Sequence, residues 1–145
     1  MAHSHNGPPH GAGRSSFDLI DADRLFDAIA LPADAHLVDL GCGRGAYALA
    51  AARLMSDAGR ITGIDLWPDG ISALVASAPD AGPGRIAGII ADLSRPLPLK
   101  PGRTDIVLMA TVLHDLVVDG AENDALPEVR RILKPGGTFA VVEFL

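Results

Sequence analysis

The run Val38-Asp39-Leu40-Gly41-Cys42-Gly43-Arg44-Gly45-Ala46 constrains this chain more than any other part of it. It continues a short strand-like stretch, His36 to Leu40, and leads into Ala46 to Ser56, Ala-rich with Leu49, Leu54 and Met55 and strongly helical by propensity. Gly59 is a natural stop for that helix. Glycines between a strand and a helix permit positive φ and let a ligand approach the backbone with no Cβ in the way. The helix beyond offers unpaired N–H groups and a partial positive end. Asp65, 24 residues after Gly41, ends the next strand-like run. At that place a carboxylate can accept hydrogen bonds from both hydroxyls of a ribose. Together these features indicate a nucleoside-containing cofactor without saying which one. The spacing also fits the dinucleotide pattern G-x-G-x-x-G/A with Ala46 in the last slot, so an NAD-binding domain stays open on the residues alone.

Helical and strand patterns alternate from Phe17 onward. Asp21 is placed to cap a helix through Ala30, with Ile20 and Leu25 as a hydrophobic staple and Leu25, Ala28 and Ile29 as its apolar face. Arg60 to Leu66 reads as a second strand. Pro68 opens a helix with Ile71, Leu74, Val75 and Ala78 on one side. Arg85 to Ala91 and Thr104 to Ala110 read as strands three and four. Glu128 to Lys134 reads as a helix that Pro127 begins or kinks, and Gly136-Gly137 turns the chain into a fifth strand, Thr138 to Leu145. Several of these strands are continuous apolar runs, the mark of a parallel sheet covered on both faces. Helix-length connections imply right-handed crossovers and a doubly wound α/β domain.

Composition narrows the partners. The chain has 145 residues, 48% hydrophobic and 21% charged, which predicts one globular domain, with a net charge of −6. Basic residues are scattered, so no phosphate-binding footprint is expected and nucleic acid is an unfavoured partner. No apolar stretch approaches the length of a membrane span. The single cysteine, Cys42, excludes an internal disulfide and fits a reducing compartment, hence a cytoplasmic location. Residues 1–16, rich in His, Gly and Pro, read as a disordered arm before a core at 17–145. Its His3, His5 and His10 are weak metal ligands at most; no metal site is expected.

Four stretches resemble class I S-adenosylmethionine-dependent methyltransferases, in order and at plausible distances. VDLGCGRGAY resembles their cofactor loop, and GIDL (63–66) their ribose-binding strand end. ADLSRPLPL (91–99) is similar to the segment near the adenine amino group, and LKPGGTFAVVEF (133–144) to the turn into strand five. The likeness covers about residues 21–145 and is nearest to the small-molecule branch that includes ubiquinone and menaquinone biosynthesis enzymes. It implies a Rossmann-like sheet of order 3-2-1-4-5-7-6, here without the 7-6 hairpin because the sequence stops at Leu145. Strand five would then be an exposed edge, which implies either truncation or a second subunit, as in a homodimer, covering it.

Carried over by the resemblance, Gly41, Gly43 and Gly45 line the methionine part of the cofactor and Asp39 positions the loop or meets the amino group. Asp65 holds the ribose, Leu66 and Trp67 flank the adenine, and Asp92 with Leu93 meets its polar edge; Ala110, ending strand four, joins this set. Three carboxylates suit a sulfonium and an ammonium and would repel an NAD pyrophosphate. His114 and Asp115 fall on the rim where the methyl acceptor would sit, and His114 is the candidate base. The Asn-Pro-Pro-Tyr-type tetrapeptide of amino-methylating DNA enzymes does not follow strand four. Cys42 reads as packing, and His36 lies at the opposite end of the sheet. The expected activity is transfer of a methyl group to a small molecule by in-line displacement. The alternatives are a cofactor-binding core without turnover, truncated or regulatory, and an NAD-binding domain.

Overall fold

The computed structural model describes residues 15–144. Ten elements run in the order α1 (Ala22–Ala28), β1 (His36–Leu40), α2 (Ala46–Leu54), β2 (Arg60–Asp65), α3 (Pro68–Ser77), β3 (Arg85–Ile90), β4 (Thr104–Ala110), α4 (Leu113–Asp119), α5 (Glu122–Ile132) and β5 (Leu133–Val142), with short 3-10 turns before α1 and after α3. The strands form one parallel sheet in the order β3-β2-β1-β4-β5, as the alternation and the resemblance imply. β1 is central, and Leu37, Val38 and Leu40 are almost wholly buried. Such burial on both sides is why the strand reads as apolar except at Asp39, itself buried.

Each face has its own core. Leu37, Ile61 and Ile106 point to the side covered by α1, α2 and α3, where they meet Phe26, Ala48, Ala52, Ile71 and Leu74. Val38, Ile64, Val107 and Met109 point to the other side, against Leu116 of α4 and Ala125, Val129 and Ile132 of α5. Because β1 lies between β2 and β4, the connections leave it in opposite directions, and a crevice opens beyond the strand C-termini.

Packing corrects several local expectations. On α1 the buried residue is Phe26, while Ala28 is exposed. Asp21 does cap it, accepting from the Arg24 amide at 3.1 Å. On α2 the buried face is Tyr47, Ala48, Ala51 and Ala52, and Leu54 is exposed, because small side chains let the helix lie close to the sheet. The helix expected from Glu128 begins at Glu122, so Pro127 lies inside it at an exposed position. The stretch after β4 carries an extra helix, α4. Gly136-Gly137 does not separate a helix from a strand: β5 begins at Leu133 and absorbs Gly136, at φ +77°, as an irregularity opposite Thr104–Ile106. β5 also ends at Val142, short of Leu145.

The first fourteen residues of the expected arm, with His3, His5 and His10, lie outside the described residues. Ser15 and Ser16 are described, and Ser16 is buried. Among the described residues no helix is long and apolar enough to cross a membrane, and no group of three metal-ligating side chains converges.

Candidate functional site

The loop after β1 is built by continuing the sheet's hydrogen bonds past its end. The amides of Gly41 and Cys42 both donate to the Ile64 carbonyl, at 2.7 and 3.1 Å, which bends the chain back over β2. Gly41, Gly43 and Gly45 all adopt positive φ, at +73°, +55° and +86°. Space separates their roles. A Cβ at Gly45 would strike Leu74 and one at Gly41 would strike Val112, whereas at Gly43 nothing lies within 4 Å. Gly43 therefore borders open volume, as a backbone meant to be approached would.

Asp65 closes the bend. Its Oδ2 accepts from the Gly43 amide at 2.8 Å and its Oδ1 from the Trp67 amide at 2.9 Å. One carboxylate thus joins the glycine loop to the start of α3, and each oxygen keeps a lone pair for a further donor. Trp67 is nearly buried, with the Arg44 guanidinium 5.3 Å from its ring centroid, while Leu66 is exposed. Asp92, after β3, accepts from the Ser94 amide at 2.9 Å and its hydroxyl at 2.7 Å, and these bonds hold its carboxyl below the ordinary value. Leu93 beside it is half-buried. An Arg131 clamp fixes this loop from behind, donating to the carbonyls of Leu97 and Leu99 at 2.9 and 2.8 Å.

Asp39 lies beneath the loop, 1% exposed, with no hydrogen-bond partner for its Oδ2 among the described residues. Burial, followed by the charge of Asp65, raises its carboxyl to about 7. A buried acceptor atom with no donor is costly, which is one reason the protonated form is favoured here. Burial, with the charges of Asp39 and Asp65 behind it, drives the Cys42 thiol far up, which makes it a packing residue rather than a nucleophile.

Across the loop stands the end of β4. A cavity of about 90 Å³ is bounded by Gly41, Gly43, Ala46 and Tyr47 on one side and by Ala110, Thr111 and Ser15 on the other. Ala110 is expected here from the resemblance, whereas Ser15, Tyr47 and Thr111 are not. Thr111 has φ +55°, which a β-branched residue rarely adopts, and it bonds its own strand through Oγ1 to the Ala110 carbonyl at 2.8 Å. The Tyr47 hydroxyl meets Ser16 Oγ at 2.6 Å, and Phe17 packs edge-on against the Tyr47 ring. This draws the segment before α1 across the cavity. Glu143, just past β5, meets His114 Nδ1 at 2.8 Å. Its signal was an acid ending an apolar strand run, the same signal that singled out Asp65; Thr111 and Ser16 carried none.

Of the expected residues, Gly41, Gly43 and Ala110 line the cavity, Asp65 and Trp67 connect to it through the hydrogen bonds of Asp65 to the Gly43 and Trp67 amides, Asp39 is buried in β1, and Asp92 and Leu93 follow the neighbouring strand β3. His114 sits in the first turn of α4, half-exposed. His36 lies at the far end of the sheet, bonded to Thr62 Oγ1 at 2.9 Å.

Residues 38–141 match the family described as a methyltransferase domain. Nocamycin O-methyltransferase of Saccharothrix syringae is 30% identical over 80% of this chain, which spans only 40% of that protein's length. The chain thus covers less than half of that curated relative. The crystal structure of a SAM-dependent methyltransferase from Aquifex aeolicus superposes with a TM-score of 0.77 at 20% identity, covering 90% of this chain and 68% of that one. The [4+2]-cyclase SpnF superposes at 0.73 with 28% identity, over 87% of this chain and 44% of that one.

Proposed function

The chain belongs to the methyltransferase domain family, whose cofactor is S-adenosylmethionine, and from that premise we propose that the crevice at the ends of β1, β2 and β4 holds this cofactor for methyl transfer to a small molecule. The observation that carries the reading is the pair Asp39 and Asp65. One carboxylate is buried with an oxygen short of a donor; the other is tied to the loop with lone pairs to spare. A cofactor with an ammonium and a ribose provides donors for both. When bound, S-adenosylmethionine supplies a methyl carbon on a positive sulfur that leaves as a neutral thioether.

The chain's own residues then do three things. Asp65 and Asp92 orient the nucleoside end, with Leu66, Trp67 and Leu93 beside it. Gly41, Gly43, Gly45, Asp39 and Ala110 receive the amino-acid end. His114, on the rim beyond β4, takes a proton from the acceptor while the acceptor is held in line with the bond that breaks. A net charge of −6 favours a small acceptor over nucleic acid. A relative named for O-methylation favours a hydroxyl. The lone free thiol is consistent with a cytoplasmic setting. The outer edge of β5, where Val141 is 40% exposed, suits pairing with a second copy of the chain.

A second reading has one observation in its favour. The likeness to a [4+2]-cyclase means that this fold also serves a protein not named for methyl transfer, so a core that binds the cofactor without turnover is the alternative. Titration of Trp67 fluorescence with S-adenosylhomocysteine and with NAD tests the cofactor. Micromolar binding of the first and none of the second is expected, and the opposite pattern overturns the proposal. Transfer of label from S-adenosylmethionine to an acceptor in a metabolite screen separates turnover from binding alone.

A further inference from the structure

We infer that Glu143 is a positioning residue that fixes which nitrogen of His114 is free to take the acceptor's proton; this rests on the reading of His114 as the base. The two residues follow adjacent strands, His114 after β4 and Glu143 after β5. Ala110 pairs with Val142, and the Thr111 amide adds one more rung by donating to the Val142 carbonyl at 2.6 Å. That rung brings the start of α4 alongside the residue following β5.

Glu143 then holds His114 at two points. Its Oε2 accepts from the His114 amide at 3.1 Å, and its Oε1 lies 2.8 Å from Nδ1. The Phe144 amide also donates to Oε1, at 3.3 Å, which steadies the carboxylate. An ionised carboxylate only accepts, and Glu143 Oε1 at 2.8 Å from Nδ1 is closer than Asp115 Oδ1 at 3.3 Å from Nε2, so the shorter contact draws the proton of a neutral ring to Nδ1. Nε2 is thereby left with its lone pair. Its near neighbour is Asp115 Oδ1 at 3.3 Å, an acceptor farther from the ring than Glu143 Oε1. The His114 side chain is 48% exposed against 26% for Glu143, so the ring is reachable while its anchor is largely covered.

In the step this geometry serves, a hydroxyl acceptor's proton passes to Nε2, and its oxygen turns the freed electron pair on the methyl carbon. The ring becomes an imidazolium between two carboxylates, Glu143 at Nδ1 and Asp115 at Nε2, which balance the charge it gains. The geometry gives the two acids different tasks: Glu143 sets the tautomer beforehand, and Asp115 meets the proton afterwards.

The test is ¹⁵N NMR of the imidazole rings in the ligand-free chain over about pH 5–9, with the His114 signals assigned through His114→Gln. The neutral ring is expected to carry its proton on Nδ1 in the wild type and to shift toward the Nε2–H form in Glu143→Gln and Glu143→Ala. Glu143→Asp is expected to recover part of the Nδ1–H population. A wild-type ring protonated on Nε2, or one indifferent to Glu143→Ala, overturns the inference. Binding of S-adenosylhomocysteine is followed in parallel and should stay within about twofold in Glu143→Gln, since the residue acts on the acceptor side. A tenfold loss there would place Glu143 in cofactor binding and overturn its assigned task. If the wild type fails to bind that nucleoside while the tautomer is as expected, the cofactor proposal falls and the Glu143–His114 relationship survives it.

Discussion

Asp39 and Asp65 occupy neighbouring strands at the same end of the sheet, and the charge of Asp65 adds to burial in raising the Asp39 carboxyl from 3.8 to about 7. A carboxyl whose folded value exceeds its unfolded one takes up a proton on folding. Its contribution is fully present below 3.8 and is lost as pH rises through about 7. Asp39→Asn should therefore stabilise the protein at about pH 8 relative to about pH 4, by ~4 kcal/mol at most. Urea denaturation of both proteins at the two pH values measures the difference.

The same carboxyl makes cofactor binding depend on pH in the opposite direction. The ammonium of the ligand's amino-acid end favours the ionised form, so affinity for S-adenosylhomocysteine should rise about tenfold between about pH 6 and about pH 8, with release of a proton. Calorimetry in buffers of different ionisation enthalpy reads that proton. In Asp39→Asn the release should vanish.

Gly43 and Gly45 should fail differently when replaced by alanine. Both are left-handed, which costs an alanine ~1–2 kcal/mol at either place. At Gly45 the new methyl also strikes Leu74, so Gly45→Ala should lose ~3 kcal/mol or more of stability. At Gly43 the space is open, so Gly43→Ala should fold with only the backbone cost but bind S-adenosylhomocysteine at least about tenfold more weakly. Thermal melts and titrations on the same samples separate the two.

Asp65→Ala strips both the Gly43 and Trp67 amides of their acceptor. A loss of ~1–3 kcal/mol in stability should accompany a collapse of binding. Asp65→Asn, which keeps one carbonyl oxygen, should recover much of the stability and little of the affinity.

Arg131 is far from the crevice in sequence, yet it clamps the loop that carries Asp92 through the Leu97 and Leu99 carbonyls and the Glu128 carboxylate. Arg131→Ala should cost ~2 kcal/mol and speed hydrogen exchange at the amides of residues 91–99 ahead of the rest of the sheet. Uniform acceleration across all five strands would count against a local clamp.

The strands and the glycine loop were legible because their signals are local. Burial on both faces leaves an apolar run, uninterrupted from Ile106 to Ala110 in β4 and broken only by Asp39 between Leu37 and Leu40 in β1, and a bend with positive φ calls for glycine, so these elements and Gly41 to Gly45 are written in adjacent residues. Asp65 was legible for the same reason, as an acid at a strand end. Helix faces were less so: α2 turns its alanines inward and leaves Leu54 outside because closeness to the sheet, set by the whole fold, outweighs hydrophobicity at one position. The early start of α5 was hidden by Pro127, whose usual place is a helix's first turn. Thr111 and the partnership of Glu143 with His114 depend on residues 29 or more positions apart, and no local pattern reports such pairs.

The hydrogen bond from the Gly43 amide to Asp65 has a kinetic meaning as well as a geometric one. Because the chain itself ties the bend to the next strand, the conformational entropy of that turn is surrendered during folding rather than on arrival of a guest. Uptake of an adenosyl compound should then look like docking onto a rigid shelf: a single fast exponential in stopped flow, its rate proportional to ligand concentration, with no slower rearrangement trailing behind.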